Sequence, residues 1–332
     1  MVQSTGTSSN DIFLNTYAND VFDGLGGYDV VNRYGTGYRG GHFDRLANGD
    51  VTFTIGNEVD TYRDIEQVDF VDGRMLFDVT EPTAQVVRLY DAALGRDYDQ
   101  SGLNAHTTAL YHGSNLNDVA ESFVDSPEFQ ARYGADLSSQ GYVQLLYQNA
   151  LGREADTAGL QFWTDHMSQG MTRAEVLVGF SESAEAVANS ADVVGAGIWD
   201  RSENAAVGAR LYDTLLDRAP EGPGLIFWTD GLDQGYRQQV LAAEGFLASD
   251  EAHARYGDAQ SSQDFIQALY HNAFDREGAP TEIQFWTNLI DTHALSKAEA
   301  LLSISESAEH VQLTADNIVN DHPAQFGIAL FG

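Results

Sequence analysis

The chain has 332 residues, with 50 acidic against 17 basic, a formal charge of −33 and no cysteine. That balance disfavours nucleic acid and anionic membrane surfaces, which are gripped through Lys and Arg, and it favours hard divalent cations. Without thiols there are no disulfides, thiolate metal centres or cysteine nucleophiles, while 43% hydrophobic residues are enough for two or three domains with a sizeable core.

In chain order, the opening MVQSTGTSSNDIF has neither a basic nor an apolar segment, so no cleaved export signal is expected there. No apolar run of about 18 residues occurs anywhere, so no membrane insertion is expected. Residues 1–80 are rich in Gly, Asp and Asn and are predicted to form a β module. Asn10-Asp11 recurs nine residues later as Asn19-Asp20, and Asp29 follows at the same spacing. Phe13, Phe22 and Val31 each stand two places after one of these Asp residues. A parallel β-roll needs this period: one short strand and one turn per half-coil, apolar side chains stacked inside, turn oxygens stacked in rows. Turns on one side then lie two repeats apart, which puts Asp11 and Asp29 on the same row.

Residues 19–31, NDVFDGLGGYDVV, resemble the RTX nonapeptide, Gly-Gly-x-Gly-x-Asp-x-apolar-x. Gly24, Gly27, Asp29 and Val31 fit it, and Leu25 departs from it by replacing a glycine. The strand-like runs 50–55 and 59–62, then Ile65-Glu66 through Asp72-Gly73, resemble the segment that closes such arrays. The resemblance covers about residues 10–79. It implies calcium as cofactor, with Asn10, Asp11, Asn19, Asp20, Asp23 and Asp29 as candidate ligands. A plain β domain with Asn/Asp/Gly turns is the alternative reading. Residues 35–40 spell GxGxxG, but a strand pattern follows where a dinucleotide site needs a helix, so that reading is rejected.

From residue 82 glycine thins, and the apolar period shifts towards that of a helix. Glu81-Pro82-Thr83 marks the boundary. An internal repeat follows. Leu-Tyr pairs end at Tyr90, Tyr147, Tyr212 and Tyr270, spaced 57, 65 and 58 residues apart. Six residues after each Tyr stands Arg96, Arg153, Arg218 or Arg276. Sixteen after it stands His106, Trp163, Trp228 or Trp286. Asp99 and Asp156 are placed as helix N-caps, and Gly95 and Gly152 as helix ends. Each copy reads as three helices, with bounds 82–138, 139–198, 199–260 and 261–315, followed by a tail at 316–332. The Tyr and Trp residues are expected in the core. The Arg and Asp residues are expected in internal ion pairs and caps, with ligand contact as the alternative.

The pattern LYxxxLGRxxDxxGLxFW…SxE, closest over residues 146–185, resembles the DUF4214 family. The resemblance covers about residues 84–315. It implies the setting of bacterial secreted and surface-layer-associated proteins, often beside RTX modules. Later copies depart: Asp217 and Asp275 replace the glycine of LGR, and Ala279 and Glu282 break the Asp-x-x-Gly spacing.

Nine histidines are scattered without a zinc spacing, and neither GxSxG nor a P-loop is present. The tail, with Asp316–Asp321 ahead of the apolar FGIALFG, resembles the uncleaved signal of type I secretion substrates; docking of the last residues is the alternative. The expected fold is α+β by segregation: a β-roll-like module, then an array of four tandem three-helix repeats. The expected function is a non-catalytic, extracellular or cell-surface, calcium-binding adhesive protein, exported by type I secretion and recognising cell-surface polysaccharide. Alternatives are a receptor-binding fibre or spike of a phage-like or gene-transfer particle, a self-assembling surface-layer or matrix component, and an exported glycan-active enzyme.

Overall fold

The computed structural model describes residues 2–134, 136–229, 232, 236–257, 260–318 and 326–330. The N-terminal strands are β1 (Gln3–Thr5), β2 (Ile12–Leu14), β3 (Val21–Asp23), β4 (Val30–Asn32), β5 (Gly41–Arg45), β6 (Val51–Ile55), β7 (Glu58–Arg63), β8 (Gln67–Phe70) and β9 (Gly73–Leu76). They wind as a parallel roll of three coils. β1, β3 and β7 pair in parallel on one sheet, and β2, β4 and β8 on the other. Gln3 lies beside Val21, and Ile12 beside Val30, so one coil is 18 residues. Phe22, Val31, Tyr62 and Val68 fill the inside, and the Phe22 and Tyr62 rings stack at 5.8 Å. The β5–β6 hairpin is inserted between the second and third coils and extends the first sheet. Residues 35–40 lead straight into β5, so no helix follows the GxGxxG run.

The helices of copy one are α1 (Pro82–Leu94), α2 (Gln100–Tyr111), α3 (Leu116–Val124) and α4 (Pro127–Tyr133). Copy two has α5 (Ser139–Leu151), α6 (Thr157–Ser168), α7 (Arg173–Ser181) and α8 (Ala184–Gly195). A strand, β10 (Ile198–Arg201), separates it from copy three, which has α9 (Glu203–Leu216), α10 (Gly222–Thr229), α11 (Tyr236–Leu247) and α12 (Asp250–Tyr256). Copy four has α13 (Ser262–Phe274), α14 (Pro280–Asp291), α15 (Lys297–Ser305) and α16 (Ala308–Leu313), with α17 (Ala315–Ile318) after it. The segregated α+β architecture is therefore present, but each repeat has four helices where three are expected. The Ser-x-Glu triplet opens the fourth: Ser126, Ser183, Ser249 and Ser307 each accept an N–H from the residue three places on. These helices bury few side chains, only Phe129 in α4 and Ala186 and Val194 in α8, so they leave little apolar period in the sequence.

The copies pack as two pairs. α1 lies on α5 and α7, and α3 on α7; likewise α9 lies on α13 and α15, and α11 on α15. Each pair closes its own core. β10 returns from the first pair to the module and pairs antiparallel with β9, putting Trp199 among Tyr38, Phe70 and Phe326. Of the tail, Phe326–Leu330 is described and 319–325 lies outside the described residues. Phe326 and Ile328 are buried, and Ile328 N–H donates to the Asp72 carboxylate at 2.8 Å. The described tail thus seals the seam between the roll and the second pair.

Candidate functional site

The proposed calcium ligands sit along the turns of the roll, and one oxygen each of Asn10, Asn19, Asp20 and Asp29 bonds to a neighbouring coil. Asn10 Oδ1 accepts from Tyr28 N–H at 2.9 Å, while Asp11 N–H donates to Asp29 Oδ1 at 2.8 Å. On the opposite row Asn19 Oδ1 accepts from Val59 N–H at 2.9 Å, and Asp20 N–H donates to Asp60 Oδ1 at 2.8 Å. Each Asn-Asp pair is therefore one half of a reciprocal latch to the next coil. The second oxygens of Asp11 and Asp20 accept from the backbone and hydroxyl of Thr7 and Thr16. Asp23 ends β3, and its carbonyl accepts Gly6 N–H.

Asp29 is the exception. The residue four before it is Leu25, which has no hydroxyl and holds the left-handed conformation (φ +68°) that a glycine would adopt more readily. Asp29 Oδ2 is buried without a hydrogen-bond partner among the described residues. Burial pushes this carboxyl above its ordinary range, opposed by the Asp11 N–H and reinforced by the charges of Asp11 and Asp64. Oδ2 and the Asp64 carbonyl oxygen both face Gly24, where a Cβ would lie 2.3 Å and 2.0 Å from them. One carboxylate oxygen and one carbonyl oxygen thus meet beside Gly24, two of the roughly six to eight oxygens a calcium ion takes. Among the described residues no three His, Asp or Glu side chains converge on one point.

The repeated positions build the same cluster four times. Arg96, Arg153, Arg218 and Arg276 each lie over the ring of Tyr90, Tyr147, Tyr212 or Tyr270, at 4.8–5.2 Å. Each guanidinium also forks onto the Glu of Ser-x-Glu: Glu128, Glu185, Glu251 or Glu309. In the first three pairs the Arg hydrogen bond holds the Glu carboxyl below its ordinary range. Asp99 and Asp156 cap α2 and α6 and neighbour the same Arg. Glu221 takes this role in copy three, and in copy four Glu282 supplies it from the glycine position. Trp163 packs on Phe180 and Trp228 on Phe246. Trp286 donates to Tyr270 Oη at 3.1 Å. The fixed Arg is thus a structural lock joining the first, second and fourth helices of each copy.

The site that the repeat does not announce lies where β8–β10 meet the C-terminal end of α2, the start of α9 and the sides of α10 and α11. A cleft of about 720 Å³ opens there. Arg74 crosses it, bonded to Asp200 at 2.7 Å and lying 4.6 Å over the Tyr111 ring. Asp69 accepts from Gln67 at 2.6 Å and from Tyr34 at 3.4 Å, and burial raises its carboxyl, opposed by Gln67 and Arg74. Arg201 is only 9% exposed and binds Glu203 at 2.5 Å through Nη2. Among the described residues its Nε and Nη1, both buried, have no acceptor. Glu203 also accepts from Asn104, which binds Gln100, which in turn donates to the Trp199 carbonyl. None of the cleft residues belongs to the sequence motifs except the stretch closing the roll. The one signal for them is the longer 65-residue spacing between Tyr147 and Tyr212, which makes room for β10.

Residues 120–190 and 243–314 match the family model described as "Domain of unknown function (DUF4214)". The first match runs from within α3 to within α8, and the second from within α11 to within α16, so each helical pair carries one. No curated protein matches the chain.

Proposed function

We propose that the protein is a non-catalytic, calcium-binding surface protein that recognises polysaccharide through the junction cleft. The observation that carries this reading is the cleft itself. It sits where three folding units meet, as ligand sites commonly do, and its wall combines hydrogen-bonding side chains with the Tyr34 and Tyr111 rings. Its carboxylates are already engaged: Asp200 by Arg74, Glu203 by Arg201 and Asn104, Asp69 by Gln67 and Tyr34. Such groups favour holding a ligand over exchanging protons with it. Calcium at the Asp29 turn, released to an extracellular setting after type I secretion, would tighten the roll that forms one wall.

The test is co-sedimentation of the purified protein with capsulated and capsule-free bacterial cells, each with calcium and with chelator. Calcium-dependent binding confined to capsulated cells is the expected outcome. Equal sedimentation with both cell types, or with neither, sinks the polysaccharide reading.

A further inference from the structure

Copy one departs from the other three on the exposed side of its second helix. Copies two and three place a Phe and a Trp there, Phe162-Trp163 and Phe227-Trp228, with glycine opposite. A Cβ on Gly179 or Gly245 would lie 2.6 Å from the indole, so in these two copies the glycine makes room for the Trp; copy four keeps Phe285-Trp286 with Ser303 at that position. Copy one has Ala105, His106 and Ser122 at these positions. The imidazole keeps the stack, 4.6 Å from Phe123, and a hollow of about 390 Å³ opens beside His106, above the buried Tyr90 and Phe123. Arg96, Asp99 and Glu128 form its polar rim.

This hollow and the junction cleft lie along the same helix. Ser101 and Ala105 border the hollow; Thr108 and His112 border the cleft. These four positions follow the four-three-four spacing of one helix face, and all are exposed. From Ser101 to His112 the helix advances roughly 16 Å. A track of exposed side chains thus runs from the hollow beside His106 at one end to the polar cleft around Arg74 at the other. Each end carries one more carboxylate than guanidinium, on a chain of charge −33, so a polyanion is repelled.

We propose that α2 is the bed of one extended groove that binds a neutral oligosaccharide, with a sugar face on the His106 ring at one end and ligand hydroxyls meeting the polar side chains of the cleft, Thr108, Arg74 and Gln67 among them, at the other. The proposal rests on the polysaccharide reading above and deepens it. Burial holds the His106 imidazole below its ordinary range, which keeps it neutral and suited to stacking.

The experiment titrates the full chain with neutral oligomers of glucose, galactose, mannose and N-acetylglucosamine, from monomer to hexamer, and with polygalacturonate oligomers of the same lengths. For the neutral series that binds, affinity should rise about tenfold or more with length before levelling off, as the second end of the groove is reached. The variant A105F/H106W/S122G gives copy one the side chains of copy two and closes the hollow. It should lose the gain with length while still binding the shortest ligands. Ala105→Phe alone, a residue the other copies carry exposed, should lose part of it with an unchanged melting point. Full retention of long-oligomer affinity in both variants overturns the groove, as does preference for the acidic series. If no oligomer binds but capsulated cells still take up the protein, the groove falls and the polysaccharide reading stands. If neither binds, both fall.

Discussion

The hydroxyl of Tyr147 occupies the space where a side chain on Gly159 would begin: a Cβ there would lie 2.0 Å from the oxygen. The same contact recurs between Tyr90 and Gly102 at 1.8 Å and between Tyr212 and Gly224 at 2.2 Å. In copies one to three the glycine therefore makes room for the hydroxyl of the tyrosine twelve residues before it; in copy four the position is Glu282, and the Tyr270 hydroxyl accepts from Trp286 instead. Gly159→Ala should destabilise the protein by about 1–3 kcal/mol, the usual cost of overpacking. Tyr147→Phe removes the oxygen, leaving the ring carbon 3.0 Å from the new methyl. The double variant should therefore recover much of the loss in chemical denaturation. No coupling between the two substitutions would remove this explanation for the glycine.

The Arg lock makes a second prediction. Arg218 forks onto Glu251, binds Glu221 at 2.6 Å and lies over Tyr212. A lysine keeps the charge but not the fork or the flat stacking face. Because both partners are partly exposed, Arg218→Lys should cost only about 0.5–1 kcal/mol, and less in high salt. A double-mutant cycle with Glu251→Gln measures the coupling. A coupling of zero at low salt would show the fork to be incidental.

The sequence period placed both rows of the roll correctly, because the coil spacing and the inward Phe22 and Val31 follow from one periodicity. What the period could not show is that the Asn and Asp oxygens face neighbouring backbone N–H groups, since hydrogen-bonded turns and metal-binding turns use the same residues. Leu25 departs visibly from the pattern; its consequence, an oxygen of Asp29 with no partner among the described residues, follows only from how the turns stack in three dimensions. In the helical region Tyr, Arg and Trp marked the repeat, but nothing in their spacing distinguishes a linear array from two pairs. That choice is made by contacts between α1 and α7 or α9 and α15, far apart in sequence. Arg74, Asp200 and Arg201 have no repeat partners, so the cleft they build left no pattern to read.

Asp29 gives a third prediction. If its free oxygen takes calcium, millimolar calcium should raise the unfolding midpoint of the wild-type protein relative to chelator. A ligand at a hundredfold excess over its dissociation constant adds about 2.7 kcal/mol. Asp29→Asn retains an acceptor for the Asp11 N–H but loses the charge, and its midpoint should not respond. A wild-type midpoint that is the same with calcium and with chelator would remove calcium from this turn.

Asp72 ties the roll to the tail and makes stability depend on pH. The carboxylate accepts from Tyr38 N–H at 3.0 Å and from Ile328 N–H at 2.8 Å, with no cation beside it among its described partners. Burial pushes its pKa up from 3.8 to about 6, against the pull of these N–H groups. A carboxyl raised on folding binds its proton more tightly in the native state. Its contribution is thus most favourable below about pH 4, declines as pH rises to about 6, and is constant above that. The difference across this window is about 3 kcal/mol. Other carboxylates titrate in the same range, so the measurement is the wild-type unfolding free energy minus that of Asp72→Asn, followed from pH 4 to 7. This difference should fall with rising pH and level off near pH 6. A flat difference would mean that Asp72 remains ionised throughout, held by its N–H donors alone. Hydrogen exchange at Ile328 adds an independent readout: Asp72→Ala removes the acceptor and should expose that amide, whereas Asp72→Asn keeps one acceptor oxygen and should protect it better.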